Sequence, residues 1–339
     1  MRMIPSFSSI PSSAILLMAF VAACGPPVSE EHREVMTGNK ADSVRHAGIT
    51  APVDFQYPSH DSLTVLTWNV EHFVDRYDNP YIGAGRENKA EPNPRASKLV
   101  EALLAIDADL VVLQEFESVA YLENLAKGKL RDAGYQFFAG AESYDWYQNV
   151  VLMSKLPLGV VYSYGSAYTP YRSEEGRRET QRKINTRLWS VDVLARPDYS
   201  FVLTGVHLKA GGGSRNASMR QGQMSLLHGQ LARFLKEDVN VNMLAVGDFN
   251  ASPESDEMEY FLHGDEQVVF NDPTATGEMP THPAESPRRQ LDYILPNTYM
   301  HPELREGSVG VPTQRLDQTQ MAAISDHLPV WAAFYAREM

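Results

Sequence analysis

The apolar run Leu244-Ala245-Val246 ends at Gly247 and delivers Asp248 and Asn250 two positions apart, on one face of an extended chain. A carboxylate can orient or deprotonate water and bind a hard cation, and an amide can donate to a phosphate oxygen without adding negative charge. The same spacing recurs where a β-rich run from Leu63 to Trp68 ends in Asn69 and Glu71. Glu115 closes the run Leu110-Val111-Val112-Leu113, His207 ends the run that starts at Phe201, Asp292 stands near the start of another strand, and Asp326-His327 precede a last one. Each of these alone reads as the ordinary polar end of a strand. Together they hold what in-line attack of water on a phosphate ester needs. Carboxylates without partner cysteines favour a hard cation such as Mg²⁺ over zinc, with Mn²⁺ or Ca²⁺ as alternatives, and histidine is the side chain suited to moving protons near neutral pH.

The elements that must position these residues follow from pattern. Asn93-Pro94 opens a helix with proline at its first position, and Leu99, Val100, Leu103, Leu104 and Ile106 mark its apolar face. A second helix runs from Ser118, with Gly134 as its stop. A strand begins at Asn149, preceded by Tyr144, Trp146 and Tyr147, which read as packing rather than as a base-stacking platform. Residues 163–183 are polar and irregular, with Arg172, Arg177, Arg178, Arg182 and Lys183, and read as a solvated loop. On the strand predicted over 184–193, Arg187 shares a face with Trp189, Val191 and Val193, which suggests that it points at an anion. A helix is predicted over 218–236, with Gln223, Leu227, Leu231 and Phe234 on its buried face. A short helix starts at Pro253, and residues 264–287 read as a long surface loop. Strands and helices mix without strict alternation, so the expected fold is α/β, with packed sheets and helices rather than a barrel.

The order of the motifs is itself specific. Thr67-Trp68-Asn69-Val70-Glu71, Leu113-Gln114-Glu115, Val206-His207-Leu208, Val246-Gly247-Asp248-Phe249-Asn250, Leu291-Asp292-Tyr293 and Ser325-Asp326-His327 together resemble the endonuclease/exonuclease/phosphatase superfamily. The resemblance implies a four-layer sandwich of the deoxyribonuclease I-like kind, two mixed β-sheets face to face with helices outside and one site at a single sheet edge. It also implies roles. Glu115 would be the principal metal ligand, with Asn69 and Asp326 completing the site and Glu71 assisting. His327 would act as general base or orient the attacking water, its ring held by Asp292, while Asp248 would align or deprotonate the nucleophile. Asn250 and His207 would bind phosphate oxygens, with Arg187 and Asn149 as weaker matches to phosphate-binding positions. Substrate choice in this group lies in loops, and neither 163–183 nor 264–287 matches a particular branch.

Composition sets outer bounds. With 43% apolar residues among 339, the chain can bury a substantial core. A net charge of −13 argues against broad non-specific holding of a polyanion, although not against a locally basic groove. The single cysteine, Cys24, excludes an internal disulfide and any multi-cysteine metal site. It follows a short apolar run and Ala22-Ala23, so residues 1–23 read as a secretory signal and Val21-Ala22-Ala23-Cys24-Gly25 resembles a bacterial lipobox. An exported lipoprotein is expected, monomeric and with no protein partner evident, anchored in the cell envelope through lipidated Cys24, or secreted if not lipidated. Residues 24–60 would be a flexible tether and 61–339 the catalytic domain. Its expected substrate is a phosphodiester, nucleic acid among them. A phosphomonoesterase or lipid headgroup phosphodiesterase on the same scaffold is the alternative, and a non-catalytic binding module is a third.

Overall fold

The computed structural model describes residues 51–75, 94–141, 146–184, 187–264, 267–274 and 279–339. The expectations for residues 1–50, Cys24 included, and for Asn93 and Tyr144 lie outside the described residues. Twelve strands and six α-helices are described, in chain order: β1 (Ser62–Phe73), α1 (Ala96–Ile106), β2 (Leu110–Phe116), α2 (Val119–Ala126), α3 (Lys129–Asp132), β3 (Phe137–Gly140), β4 (Asn149–Ser154), β5 (Leu158–Ser163), β6 (Thr169–Arg172), β7 (Arg178–Gln181), β8 (Leu188–Arg196), β9 (Tyr199–His207), α4 (Ser214–Glu237), β10 (Met243–Asp248), α5 (Asp256–His263), β11 (Asp292–Pro296), α6 (Gln318–Ala322) and β12 (Val330–Tyr335). No described helix is long and apolar enough to cross a membrane.

Two mixed five-stranded sheets carry the fold, one ordered β12-β1-β2-β4-β3 and the other β11-β10-β9-β8-β5. Their inner faces meet in a core that includes Val65, Leu110, Val112, Val150, Leu152, Trp189, Val191, Leu203 and Val246. The alternate residues of the same strands face outward: Leu66, Val111 and Leu113 pack with Leu99 and Leu103 of α1 and Leu122 of α2. On the other sheet Val202, Met243 and Ala245 pack with Met224, Leu227 and Leu231 of α4 and Phe261 of α5. Burial on both faces explains why these strands read as continuous apolar runs without polar alternation. The result is the expected α/β sandwich of four layers.

Strand direction then decides where polar ends go. β1 and β2 are parallel, as are β9 and β10, so the carboxyl ends of each pair share an edge. β11 runs antiparallel to β10 with Asp292 opposite Asp248, and β12 runs antiparallel to β1 with Val330 opposite Thr67. The segment just before β12 therefore lies beside the end of β1.

Several local expectations are corrected. Residues 163–183 are not a solvated loop: β5 ends at Ser163, and β6 and β7 form an antiparallel hairpin. Thr169 and Tyr171 are buried while Pro170 and Arg172 are exposed, an alternation too short to stand out among five basic residues. Nor is the stretch 264–287 a surface loop, since Val268, Phe270, Thr281 and Ala284 within it are buried. The first helix begins at Ala96 rather than at Pro94: Arg95 is its N-cap and accepts the first helical bond, from the Leu99 N–H at 2.8 Å, while its side chain turns to backbone carbonyls at the site. The long helix starts at Ser214, a turn earlier than its apolar periodicity, and the short helix starts at Asp256 under a Ser255 cap. β8 starts at Leu188, leaving Arg187 just ahead of it.

Among the described glycines, Gly247 is in the tightest place. Gly247 has φ +142°, and a Cβ there would lie 1.9 Å from the Val206 carbonyl oxygen on the paired strand. Gly229, on the exposed side of α4, has open space at the same position and no unusual φ. Gly247→Ala should therefore destabilise the fold by more than about 3 kcal/mol, whereas Gly229→Ala should stabilise it by about 0.5–1 kcal/mol. Urea unfolding of both variants measures this, and equal effects would show that the close approach at Gly247 is not what the fold requires.

Candidate active site

Asp248, at the end of β10 and 1% exposed, is the hub of the site. Its Oδ2 accepts from Asn69 Nδ2 and from Asn250 Nδ2, each at 3.0 Å, and its Oδ1 accepts from the Asn250 backbone N–H at 2.8 Å. The Nε2 atoms of His207 and His327 both lie 3.9 Å from Oδ2. Asn69 belongs to one sheet and Asp248 to the other, so their hydrogen bond joins the two sheets at this edge.

His327 and Asp292 form a dyad. Nδ1 of the ring meets Asp292 Oδ2 at 2.8 Å, which leaves Nε2 facing Asp248. Burial alone would lower the ring's pKa, but Asp292, hydrogen-bonded to it, with Asp248 and Asp326 nearby, raises it to about 10. Burial and the Asp292 charge push the Asp248 carboxyl up to about 7, against the pull of His327 and its hydrogen-bond donors. His207 behaves oppositely: burial and then the Arg187 charge hold it down to about 3, so its ring is neutral at pH 7. Its Nδ1 is buried without a partner, and its Nε2 also lies 3.7 Å from Glu115 Oε1.

Glu115 is delivered by a distortion at the end of β2. The β1–β2 register shifts between Asn69 and Phe73, and Glu71, His72 and Glu115 all have positive φ, between 45° and 58°. Glu115 Oε2 accepts from the His72 backbone N–H at 3.0 Å and lies 3.6 Å from His72 Nε2. Asn69 Oδ1 accepts from the Glu71 N–H at 3.1 Å and keeps a second lone pair. Glu71 itself is exposed at the rim. Asp326, next to the dyad, lies 3.5 Å from His282 Nε2; burial works to raise its pKa, but the His282 hydrogen bond and the His327 charge hold it below the ordinary carboxylate range. The Ser325–His327 turn is pinned to β1 through Ser325 Oγ to Asn69 O at 2.6 Å and Trp68 Nε1 to His327 O at 2.8 Å.

Three expected phosphate contacts are placed differently from one another. Arg187 sits over the Trp146 ring at 5.5 Å, with Nη1 3.3 Å from the His207 and Leu208 carbonyls. Burial lowers its pKa, and the nearby charges of Glu115 and Asp248 raise it. It does point at the site. Asn250 uses both amide hydrogens on Asp248 and the Leu208 carbonyl, so here it positions Asp248. Asn149 donates to the Glu117 carbonyl at 2.5 Å and so secures the end of β2. Among described His and carboxylate groups, two sets could hold a metal ion: Asp248–Asp292–His327 and His282–Asp326–His327. Glu115 and Glu71 belong to neither set.

Residues that sequence reasoning missed complete the site. Thr281 Oγ1 donates to Asp292 Oδ2 at 2.6 Å, fixing the carboxylate that holds His327. His282 packs against His327 with ring centroids 4.6 Å apart, and its Nδ1 accepts from Arg289 at 2.8 Å. Tyr147 reaches His72 Nδ1 at 3.0 Å. Arg95 donates to the carbonyls of Val70, Glu71, His72 and Ile324, over the Phe73 ring. Of these, His72, adjacent to Glu71, and Tyr147, which pattern assigned to packing, had a signal in sequence.

The family model for the endonuclease/exonuclease/phosphatase family matches residues 66–327, and the chain belongs to that family. It is a phosphoric ester hydrolase of that group. Solved structures share the fold: the human nocturnin catalytic domain with bound sulfate (19% identity, covering 81% of this chain and 94% of that one, TM-score 0.51); an endonuclease/exonuclease/phosphatase from Beutenbergia cavernae DSM 12333 (18%, 82% and 72%, 0.54); and truncated Caenorhabditis elegans TDP2 (13%, 81% and 98%, 0.51). No curated protein sequence matches the chain.

The dyad makes a spectroscopic prediction. In Asp292→Asn the anion that favours the imidazolium is gone while burial remains, so the His327 pKa should fall from about 10 toward or below the ordinary ~6.5. Histidine ring NMR across pH reads this directly; a ring still titrating near its original value would show that Asp292 does not hold the charge.

Proposed function

We propose that this protein is a divalent-metal-dependent phosphodiesterase of the nuclease type, acting by in-line attack of water. What carries this reading is convergence: side chains from Asn69 to His327, remote in sequence, meet around Asp248 Oδ2 at one sheet edge. By the family resemblance Glu115, Asp326 and the second lone pair of Asn69, with Glu71 at the rim, would hold the cation; of these only Asp326 also belongs to a set of groups close enough together here to share an ion. This oxygen-rich, thiol-free set fits a hard ion such as Mg²⁺, with Mn²⁺ or Ca²⁺ as alternatives. When bound, a divalent cation offsets negative charge on the phosphate.

The chain's own residues supply the rest. A water within reach of Asp248 Oδ2 and His327 Nε2 would be oriented by the two and pass its proton to the Asp248 carboxylate, whose raised pKa suits it to accept; Asp292 and Thr281 keep the charged His327 ring turned to face it. Neutral His207 has an N–H to offer a non-bridging oxygen, and Arg187 adds a fixed positive charge beside it.

Purified full-length protein incubated with bis-nitrophenyl phosphate, DNA, RNA and sphingomyelin should cleave diesters in Mg²⁺ and not in EDTA. His327→Ala should lower kcat by about 10²–10⁴ while leaving the fold intact by circular dichroism. Full activity in chelator, or no cleavage of any diester, would end this reading. Faster release of inorganic phosphate from monoesters would move it to the phosphatase branch. The leader sequence further supports export and anchoring through a lipid on Cys24. Cys24→Ser should then lose metabolic palmitate label and leave the membrane fraction, and an unchanged distribution would remove the anchor.

A further inference from the structure

The β6–β7 hairpin stands outside both main sheets, and its exposed side is basic. Arg172 and Arg178 are directly opposite in the ladder, where like charges repel. No carboxylate among the described residues forms an ion pair with either; Arg172 has only the Gly176 carbonyl, at 3.2 Å. Arg172 and Arg178 line a cavity of about 320 Å³ with Ser218, Gln221, Ser225 and Tyr260. Ser218 Oγ accepts from the Arg172 backbone N–H at 2.8 Å, which leaves its hydroxyl hydrogen to donate. Tyr168, 68% exposed, precedes the hairpin and offers an aromatic face.

This cavity is tied to the active-site edge. Gln223 donates to Gln181 Oε1 at 3.0 Å and accepts from the Lys209 N–H at 2.9 Å, so one side chain links the hairpin to the segment leaving His207. Arg220, paired with Glu257, holds the Lys209 and Gly211 carbonyls. The hairpin itself sits tight on α4: a Cβ on Gly222 would lie 2.2 Å from the Pro170 carbonyl oxygen. The lining residues of α4 extend to Ser225, roughly 16 Å along the helix from its start near the site. That is farther than one scissile phosphate group reaches.

We propose that the β6–β7 hairpin and the first turns of α4 form an exosite for the sugar–phosphate backbone of a single nucleic-acid strand. The placement of the scissile phosphate at Asp248 and His327 rests on the phosphodiesterase reading above. Two unpaired arginines with hydroxyl donors and an exposed tyrosine match the needs of a strand: charge for phosphate and a ring face for a base. In a chain of net charge −13, such a patch is also where a polyanion meets the right sign.

The test uses the full-length protein as wild type, as Arg172→Ala/Arg178→Ala, and as Arg172→Lys/Arg178→Lys. Fluorescence anisotropy with a labelled single-stranded DNA of about 30 nucleotides, in EDTA, reads binding without turnover. The alanine pair should bind roughly tenfold more weakly at about 0.1 M salt, and its log Kd against log salt should be shallower by about 1.4, ~0.7 for each lost phosphate contact. The lysine pair should keep the wild-type slope. Hydrolysis of bis-nitrophenyl phosphate, too small to span the two places, should be unchanged in both variants, and their circular dichroism should match wild type. Wild-type affinity and slope in the alanine pair would overturn the exosite even if diesters are cleaved. Loss of binding to phosphatidylglycerol vesicles with DNA binding intact would overturn it in favour of a membrane surface. Arginine-dependent strand binding without hydrolysis of any diester would support the exosite and remove the phosphodiesterase reading instead.

Discussion

A carboxylate buried as completely as Asp248 is tolerable only if donors replace the water it has lost. Those donors come from separate parts of the chain: Asn69 from the opposite sheet, Asn250 from the following turn, and the imidazoles of His207 and His327 near by. Asn250 and His207 come with the turn and the sheet of Asp248 itself, but Asn69 and His327 are in place only if the two sheets stack in this register. The stability of this edge and the arrangement of the site are thus one requirement. The hub also explains why neighbouring groups take opposite protonation states. His327, facing Asp292 and Asp248, is held charged despite its burial, while His207, by burial and then by the Arg187 charge, is held neutral. Two histidines of the same intrinsic chemistry are thereby given different work by their nearest charges.

Backbone strain concentrates at the same edge. Glu71, His72, Glu115 and Asn250 have positive φ, which for residues with side chains costs of order 1–3 kcal/mol each. The distortion turns Glu115 out of the β2 ladder so that its carboxylate reaches toward His207 and His72. Arg95 offsets part of that cost by collecting four carbonyls that the irregular backbone leaves outside the ladders. It also binds the end of β1 to the turn before Ser325, so the strained segment and the His327 turn share one clamp.

Charge is distributed unevenly over this acidic molecule. Arg187 and Lys209 stand at the site, and the hairpin arginines lie farther out, on an element that Gln223 joins to the segment leaving His207. A strongly negative chain repels anions at a distance, so a local cationic track matters more here than it would on a basic protein. The position of the hairpin is fixed by contact with α4, and that helix in turn packs on the second sheet. The same packing that buries the outer face of β9 and β10 thus sets the distance between the basic track and Asp248.

The sequence by itself determined an α/β fold of packed sheets and helices, and the order of its motifs, by resemblance to a known family, implied the sandwich and most of the polar hub. Apolar runs buried on both faces leave a clear pattern, and beside each run stands a polar residue suited to chemistry: Asn69, Glu115, His207 and Asp248 toward strand ends, Asp292 and His327 at or before strand starts. Tertiary structure decided what each of these side chains touches. Asn250 and Asn149, which sequence pattern offered to a phosphate, are committed to Asp248 and to a carbonyl, because hydrogen-bond partners depend on which strand lies alongside. Thr281, His282 and Arg95 carry no local periodicity and became visible only when loops folded back over the edge. The hairpin was hidden for a related reason: four-residue strands among arginines have no pattern of their own, and it is the surface of α4 that orders them. Local pattern encodes which face of an element is buried, whereas the meeting of segments hundreds of residues apart is encoded only in how the sheets pack.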